Sequence, residues 1–254
     1  MPSEPPPPRL RILTVNVHKG YTALHRRFVL RELREAVRAV ASDLVFLQEV
    51  SGNGGPRAAA RNANGDEAAH YEYLAEQIWV DHAYGRNAVI EGRDHGNALL
   101  SRYPILAFAN HDVSVTGATE GRGALHCVIL PYGARQPLHS VCVHLGLRER
   151  DRHEQLASLL GLLDRDVPQH APLVVAGDFN DWRGRADAML RDAGLVEVFR
   201  EAMGEHARSF PALWPLLRLD RIYVRQVQAH PLLLPRKPWA TLSDHAPLAA
   251  EIQL

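Results

Sequence analysis

The stretch Ala176-Gly177-Asp178-Phe179-Asn180-Asp181 decides the fold of this chain. It follows Pro172-Leu173-Val174-Val175, a short apolar run that predicts a buried strand. Gly177 permits a sharp turn there, and the ends of strands hold polar side chains rigidly while leaving them open to solvent. A carboxylate at such a turn can accept a proton while an amide two positions later donates to an oxyanion. Taken alone, the stretch is more typical of an Asx turn that closes a hairpin.

Composition limits the classes of protein to which the chain can belong. Its 254 residues suit one large domain or two small ones. Lys plus Arg balance Asp plus Glu at 29 each, so no global charge favours nucleic acid or anionic membranes, although a local basic rim stays open. Cys127 and Cys142 lie in apolar runs without metal-type spacing, and we expect buried thiols of a reducing compartment and no disulfide.

The N-terminal residues 1–8 are rich in proline and lack the apolar segment of a secretory signal. We expect them to form a flexible polyproline arm. No apolar run approaches the roughly 20 residues that cross a bilayer, so no transmembrane segment is expected. No linker divides residues 9–254, which predicts a single domain. Because neither a signal nor a spanning segment is expected, we expect a cytoplasmic protein, and we also expect a monomer.

Hydrophobic periodicity predicts a series of alternating strands and helices. Residues 9–17 alternate as a strand, 26–41 repeat apolar residues at helical spacing, and 43–49 form a buried strand that ends in a carboxylate. Residues 51–68 lack periodicity and are expected to be a surface loop. Further helices are expected at 71–80, 149–164 and 186–193, and further strands near 83–90, 97–101, 125–130, 138–144, 172–175, 221–227 and 246–254.

The order helix, apolar strand, acid occurs twice, at 26–49 and 149–178. This repetition predicts two similar halves, each of which offers a strand end to one central site. Many strands with few helices between them favour an α/β (α+β) protein with two packed sheets flanked by helices.

Polar side chains recur where the predicted strands begin or end. Each of them alone has an ordinary explanation, such as a turn cap or an edge histidine. Their joint placement is informative because Asp and Glu are rarely buried without a partner. The set consists of Asn16, Glu49, His144, Asp178, Asn180, Asp220, Asp244 and His245.

These residues lie in motifs that, taken in order from about residue 10 to residue 254, resemble the endonuclease/exonuclease/phosphatase superfamily. The resemblance implies the DNase I-like fold, a four-layer α/β/β/α sandwich of two mostly antiparallel sheets flanked by helices, in a small bacterial single-domain member. The motifs are Thr14-Val15-Asn16-Val17, Leu47-Gln48-Glu49-Val50, Leu99-Leu100-Ser101-Arg102-Tyr103-Pro104, His144, Gly177-Asp178-Phe179-Asn180, Arg218-Leu219-Asp220 and Leu242-Ser243-Asp244-His245-Ala246-Pro247-Leu248.

The resemblance implies a metal site and a hydrolytic water. Glu49 is similar to the principal Mg²⁺ ligand of the family, for which Mn²⁺ is a possible substitute, and Asp244 and Asn16 are implied to lie beside that metal. Asp178 is similar to the residue that orients or deprotonates the attacking water. Asn180 is similar to the residue that stabilises the charged transition state.

The resemblance also implies roles for histidines. His245 is similar to a phosphate-contacting histidine held by Asp220, and His144 is similar to a second active-site histidine that acts as general acid. His18 stands where some abasic-site endonucleases carry an acid. Glu91 is a candidate for a glutamate that orients a histidine.

Two arginines, Arg122 and Arg152, lie where family members often have residues that contact or frame the phosphate. A solvated surface ion pair is an equally good interpretation of each. They and His18 are therefore the weaker candidates for phosphate binding.

The substrate is open because this fold carries several chemistries. The resemblance and the arginine-rich residues 148–152 favour a nuclease, an endonuclease or exonuclease on DNA, while the zero net charge speaks against duplex binding. The alternative is a phosphodiesterase or phosphatase acting on a phospholipid or small phosphorylated molecule, which makes peripheral membrane contact possible.

Residues 209–217 form an apolar loop that could bind an acyl chain or stack on a base, with Trp239 beside it. Core packing of that loop is favoured over either use. A non-catalytic binding protein is disfavoured because no catalytic position is lost.

Overall fold

Two six-stranded β-sheets form the middle of the molecule. The structure is a computed structural model that describes residues 7–23, 27–52, 60–61, 67–90, 93–118 and 120–254. In chain order the strands are β1 (Arg9–Asn16), β2 (Leu44–Ser51), β3 (Ala60–Arg61), β4 (Glu67–Ala68), β5 (Asp81–Ile90), β6 (Arg93–Ser101), β7 (Ile105–Asp112), β8 (Gly123–Ile129), β9 (Leu138–His144), β10 (Leu173–Asp178), β11 (Val196–Glu197), β12 (Asp220–Arg225), β13 (Gln228–Leu232) and β14 (Leu248–Gln253). The helices are α1 (Leu30–Val40), α2 (His70–Ala75), α3 (Glu149–Asp166), α4 (Ala186–Asp192) and α5 (Val198–Met203).

The two sheets share one design. The first has the strand order β13-β14-β1-β2-β6-β5 and the second has β11-β12-β10-β9-β8-β7. Each contains a single parallel pair, β1 with β2 and β9 with β10, and all its other pairs are antiparallel. A parallel pair needs a crossover connection, which α1 supplies in the first sheet and α3 in the second. The structure thus contains the two similar halves expected from the repeated order of helix, strand and acid.

Alternation along β1 creates the layers. Leu13 and Val15 point into a core shared with α1, whereas Leu10 and Ile12 point into the core between the two sheets. A third core joins the outer face of the second sheet to α3 and α4. The order of layers is therefore helix, sheet, sheet, helix, which confirms the predicted four-layer sandwich.

Several boundaries differ from those predicted. Helix α1 begins at Leu30 and not at residue 26, because Phe28 bridges to Tyr21 in an extended segment and Val29 has φ −134°. Helix α2 ends at Ala75 and not at residue 80, and Gln77 just beyond it adopts φ 71°. The expected surface loop contains a short antiparallel pair of strands, β3 with β4.

The sequence reading missed β7, β11, β13 and α5. Strand β7 is an edge strand whose side chains are mostly exposed, so it lacks the apolar alternation that marks a half-buried strand. Strand β13 lies at an edge of the first sheet and contains Pro231, a residue that argues against a strand when only the sequence is read.

Residues 1–6 of the proline-rich arm and the candidate Glu91 lie outside the residues that the structure describes. Cys127 and Cys142 are buried free thiols, as expected. None of the helices in the described ranges has the length and apolar character needed to cross a bilayer.

A buried ionic cluster fixes the segment that enters loop 209–217. His206 bonds through Nδ1 to Glu197 (3.0 Å) and through Nε2 to Asp187 (2.6 Å). Burial alone lowers the pKa of His206, but the hydrogen bonds to these two carboxylates outweigh it and raise that pKa. Tyr223 also donates to Asp187.

We expect His206→Gln to lower the free energy of unfolding by about 2 kcal/mol at pH 6, because hydrogen bonds to charged groups are lost. The folded-state pKa is raised, so this stabilisation is complete below the unfolded pKa of about 6.5 and disappears as pH rises through the folded value. Urea unfolding at pH 6 and pH 9 measures the difference between variant and wild type. His170→Gln, at an exposed position, is the control. If the loss of unfolding free energy in the His206 variant grew as pH rises, His206 would not be the charged partner of the two carboxylates.

Candidate active site

The ends of the two parallel strand pairs carry the polar side chains picked out in the sequence. Asn16 ends β1, and Glu49 lies near the end of β2. In the second sheet Asp178 pairs with His144 on β9 and with Asp220 on β12. Each sheet therefore presents its polar residues at the same kind of position, the carboxyl end of its parallel pair.

The backbone around this site is strained. A β-bulge interrupts the β2–β6 pairing between Leu47 and Val50, and Glu49 within it has φ 55°. Positive φ also occurs at Asn180 (50°), His18 (44°) and Lys19 (54°). Conformations of this kind cost about 1–3 kcal/mol each and persist where the surrounding structure imposes them. Bulges beside active sites re-aim side chains, and this one turns Glu49 toward Asn16.

Asn16 connects the two halves. Its Nδ2 donates to Glu49 Oε1 (3.1 Å) and to Asp178 Oδ2 (3.3 Å), while its Oδ1 accepts from the backbone N–H of His18 (3.0 Å). The amide thus presents N–H groups to the carboxylates. Asn16 thus orients Glu49, and its place beside the metal stays a prediction.

Glu49 and Asp244 are suited to a divalent cation. Burial opposes ionisation of Glu49, yet His144, the Asn16 hydrogen bond and Lys19 together hold the pKa of its carboxyl below the ordinary value. The side chains of Glu49 and Asp244 remain 20% and 25% exposed, so solvent and ions reach them. Carboxylate oxygens with access for water and phosphate oxygens are the ligands that Mg²⁺ prefers. The donor set therefore fits Mg²⁺.

His245 and Asp220 form a buried pair. His245 Nδ1 lies 2.9 Å from Asp220 Oδ2, and its Nε2 lies 3.7 Å from Asp178 Oδ2. Burial disfavours the imidazolium, but Asp220 and Asp178 raise the pKa of His245 to about 10. Ligand atoms of these three residues lie within 4.8 Å of one another. A protonated imidazole has no lone pair for a metal, so this cluster serves as a carboxylate–histidine pair beside Asp178.

Asp178 occupies the centre of the constellation. Its Oδ1 accepts from the backbone N–H of Asn180 (2.9 Å), and its Oδ2 lies 3.6 Å from His144 Nε2. Burial, together with the charge of Asp220, raises the pKa of Asp178 to about 6. A carboxylate with a pKa near neutrality is suited to act as a general base.

The comparison with known proteins assigns this constellation to a family. The model of the Endonuclease/Exonuclease/phosphatase family matches residues 13–245, which include every residue of the central cluster. The chain belongs to the endonuclease/exonuclease/phosphatase family.

Similar proteins match along the whole chain. Uncharacterized protein YbhP of Escherichia coli K12 is 51% identical over 256 residues and covers 100% of both chains. The endonuclease/exonuclease/phosphatase structure from Beutenbergia cavernae has a TM-score of 0.76 at 21% identity, covering 97% of this chain and 72% of its own. D. rerio TDP2 complexed with a single-strand DNA product has a TM-score of 0.67 at 18% identity, covering 97% and 99%. Family membership supports hydrolysis of phosphoester bonds as the chemistry of this site.

His144, the predicted general acid, is buried beside Asp178. Burial and the nearby charge of Arg122 lower the pKa of His144 to about 3, so its imidazole is neutral near pH 7. A neutral imidazole can donate one hydrogen bond but is not a charged acid. General acid catalysis by His144 stays a prediction from the family resemblance, while the raised pKa of His245 favours a cationic imidazole at that position.

Arg122, Arg152 and His18, the weaker candidates for phosphate binding, have different surroundings in the structure. Arg122 is buried, binds Glu120 (Nη2 to Oε2, 2.9 Å) and acts electrostatically on His144, so it lies close to the site. Arg152 is also buried, but its Nη1 donates to the carbonyls of residues 146 and 147, and its guanidinium lies over Trp182 at 4.9 Å. These contacts hold Arg152 against the loop after β9 and not in a solvated ion pair, and a contact with the phosphate stays a prediction. His18 Nδ1 lies 3.6 Å from Asp244 Oδ1.

Sequence reasoning missed three contributors. Lys19 places Nζ 4.0 Å from Glu49 Oε2, Glu120 joins Arg122 to His95 (2.7 Å), and Trp182 stacks under Arg152. Lys19 and Glu120 are sequence neighbours of motif residues, but the sequence does not show what they contact. The positive φ values of the 18–20 turn accompany the position of Lys19, and a buried ion pair with Arg122 places Glu120.

Loop 209–217 is not packed into the core, contrary to the favoured interpretation of its sequence. Its base is fixed to the site: Ala212 N donates to Asp244 O (2.7 Å), and the rings of Phe210 and His245 lie 5.0 Å apart. Its tip is open to solvent. The exposed fractions are 63% for Leu213, 68% for Trp214, 55% for Leu216 and 40% for Leu217.

Proposed function

We propose that this family member is a Mg²⁺-dependent phosphodiester hydrolase. The single observation that carries the proposal is the position of Asp178, whose pKa is raised to about 6 between the Asp220–His245 pair and the Asn16-linked carboxylate of Glu49. Hydrolysis of a phosphodiester requires a base, a cationic hydrogen-bond donor and a carboxylate that binds a cation. All three are present where the ends of the two parallel strand pairs meet.

Each residue has a distinct task in the proposed mechanism. Glu49 and Asp244 would hold the Mg²⁺, which when bound would neutralise phosphoryl charge and lower the pKa of water. Asp178 accepts the proton of the attacking water as its oxygen bonds to phosphorus and the bond to the leaving oxygen breaks. Asn180 is suited to stabilise the developing negative charge. The protonated His245, oriented by Asp220, contacts the phosphate.

Nucleic acid is the first substrate class. The sequence favours a nuclease, and the similar D. rerio TDP2 structure holds a single-strand DNA product. The arginine-rich residues 148–152 give less support than their sequence promises, because Arg152 is buried and Arg150 pairs with Glu154. Endonucleolytic and exonucleolytic cleavage of DNA both remain predictions for the assay below.

A phospholipid or other small phosphoester is the second class. The observation that favours it is the solvent-exposed tip of loop 209–217, which stands beside His245. An apolar surface next to a phosphodiesterase site is suited to a substrate that carries an apolar group.

We expect hydrolysis of bis-p-nitrophenyl phosphate that depends on Mg²⁺, that Mn²⁺ also supports, and that is lost in EDTA. Glu49→Ala should abolish it and weaken Mg²⁺ binding in calorimetry. The same protein is then assayed on plasmid DNA, abasic duplex, single-stranded DNA, RNA and phospholipid. Activity that is identical in wild type and Glu49→Ala on every substrate would exclude the hydrolase.

A further inference from the structure

A group of exposed apolar side chains stands beside the candidate active site. We call Leu213, Trp214, Leu216, Leu217 and Leu233 the apolar rim; Leu233 is 76% exposed and follows β13. A cavity of about 430 Å³ adjoins the rim and is lined by Leu233, by Pro215 of the loop and by Trp239. Exposed apolar side chains grouped near a cavity are typical of an interaction site.

The rim is held at a fixed position relative to the site. Ser209 Oγ accepts from the backbone N–H of Asp220 (3.2 Å), and Ser209 O accepts from Ala246 N (2.7 Å). Phe210 and Leu217 bridge across the base of the loop. The exposed tip therefore projects from a stem that is bonded to both neighbours of His245 and to Asp220.

Basic side chains lie near the rim, and one acid, Glu205, lines the adjoining cavity with them. Arg208 and Lys237 are exposed, and neither has an ion-pair partner within the described ranges. Arg236 lines the cavity and lies over the Trp214 ring at 5.7 Å. Leucine and tryptophan flanked by lysine and arginine are the composition of surfaces that insert into a bilayer interface, with the apolar groups among acyl chains and the cations at anionic headgroups.

We propose that the apolar rim is a docking surface for an anionic lipid bilayer. Docking through Leu213 and Trp214 places the Asp220–His245 pair next to the headgroup layer, because the stem of the loop contacts both residues. The surface itself is independent of catalysis. If the proposed function holds, it also makes a membrane phosphodiester the substrate class.

The test uses the full chain with equimolar phosphatidylglycerol–phosphatidylcholine vesicles, compared with vesicles of phosphatidylcholine alone, in EDTA so that no cation bridges the site to the lipid. We expect cosedimentation with the anionic vesicles that weakens as salt is raised. Combined Leu213→Ser, Trp214→Ser and Leu216→Ser should reduce binding about tenfold or more. Lys237→Glu should reduce it as well. These side chains are exposed, so folding is preserved, and circular dichroism checks it.

The matched control carries the same number of apolar-to-serine changes away from the rim, at Leu106, Phe108 and Tyr132, which are 56%, 56% and 72% exposed. It should bind as the wild type does. Vesicles with brominated acyl chains should quench tryptophan fluorescence, and Trp214→Phe should remove most of that quenching.

Three results would overturn the docking surface: no binding to anionic vesicles, equal loss in rim and control variants, or a rim variant that loses affinity for a single-stranded oligonucleotide while keeping its affinity for vesicles. The last would make the rim a platform for bases. Failure of the proposed function is distinguishable, because vesicle binding would persist while bis-p-nitrophenyl phosphate remained uncleaved. The rim variants should hydrolyse that soluble substrate at the wild-type rate.

Discussion

Replacing Asp178 by Asn should lower kcat for phosphodiester hydrolysis by about 10³-fold, because a positioned general base contributes roughly 10²–10⁴ to the rate. The amide keeps the shape of the side chain and its acceptor for the N–H of Asn180. It cannot accept the proton of the attacking water. Steady-state kinetics on bis-p-nitrophenyl phosphate with saturating Mg²⁺ measure the effect.

Stability should respond in the opposite way. Burial and, after it, the charge of Asp220 raise the pKa of Asp178, so a neutral amide removes the cost of a buried charge in the folded state. We expect a melting temperature equal to or above that of the wild type. Asp192→Asn, at the exposed end of α4, serves as the control for activity. Near-normal kcat in the Asp178 variant would show that another group accepts the proton.

Replacing Gly177 by Ala should be among the most damaging single changes in the second sheet. Gly177 has φ 148°, and a Cβ built there would lie 1.9 Å from the carbonyl oxygen of Val143 on the neighbouring strand. Unfavourable φ and overpacking each cost about 1–3 kcal/mol, so we expect a loss of about 3 kcal/mol or more. For a domain of this size that lowers the melting temperature by about 6–12 °C.

Gly161→Ala is the matched control for this substitution. Gly161 lies in α3 with no atom within 4 Å of an added Cβ, and alanine is the better helix former. It should leave the protein unchanged or stabilise it by up to about 1 kcal/mol. Activity separates the two sites further: the Gly177 variant should lose activity because β10 carries Asp178, while the Gly161 variant keeps it. Equal melting temperatures for both variants would mean that β9 and β10 lie farther apart than the structure shows.

Both predictions concern the end of β10, where residues suited to catalysis lie in conformations or surroundings that lower the stability of the fold. Glu49 and Asn180 have positive φ, Asp178 is a buried acid with a raised pKa, and Gly177 allows β10 to lie against β9. Such features lower stability locally and persist because the surrounding sheets impose them.

The sequence by itself determined the fold and the members of the site. Periods of two and of 3.6 residues are set by backbone geometry, so β1, β2, β10 and α3 were predictable to within a few residues. The polar ends of those strands predicted the cluster around Asp178, which the structure brings together. Edge elements were missed, because β7 and β13 bury too little to impose an apolar pattern.

Tertiary structure alone decided how those side chains share protons and which surfaces stay open. The amide of Asn16 faces two carboxylates because its oxygen is taken by the His18 backbone, and Arg152 turns inward onto carbonyls. His144 is neutral and His245 charged although both are histidines, since their pKa values depend on neighbours brought from distant parts of the chain. Likewise, an apolar loop has the same sequence whether it packs inward or projects. The bonds of Ser209 to Ala246 and of Ala212 to Asp244 hold the base of the loop, while Leu213 and Trp214 lie in solvent; only the packed chain fixes that outcome.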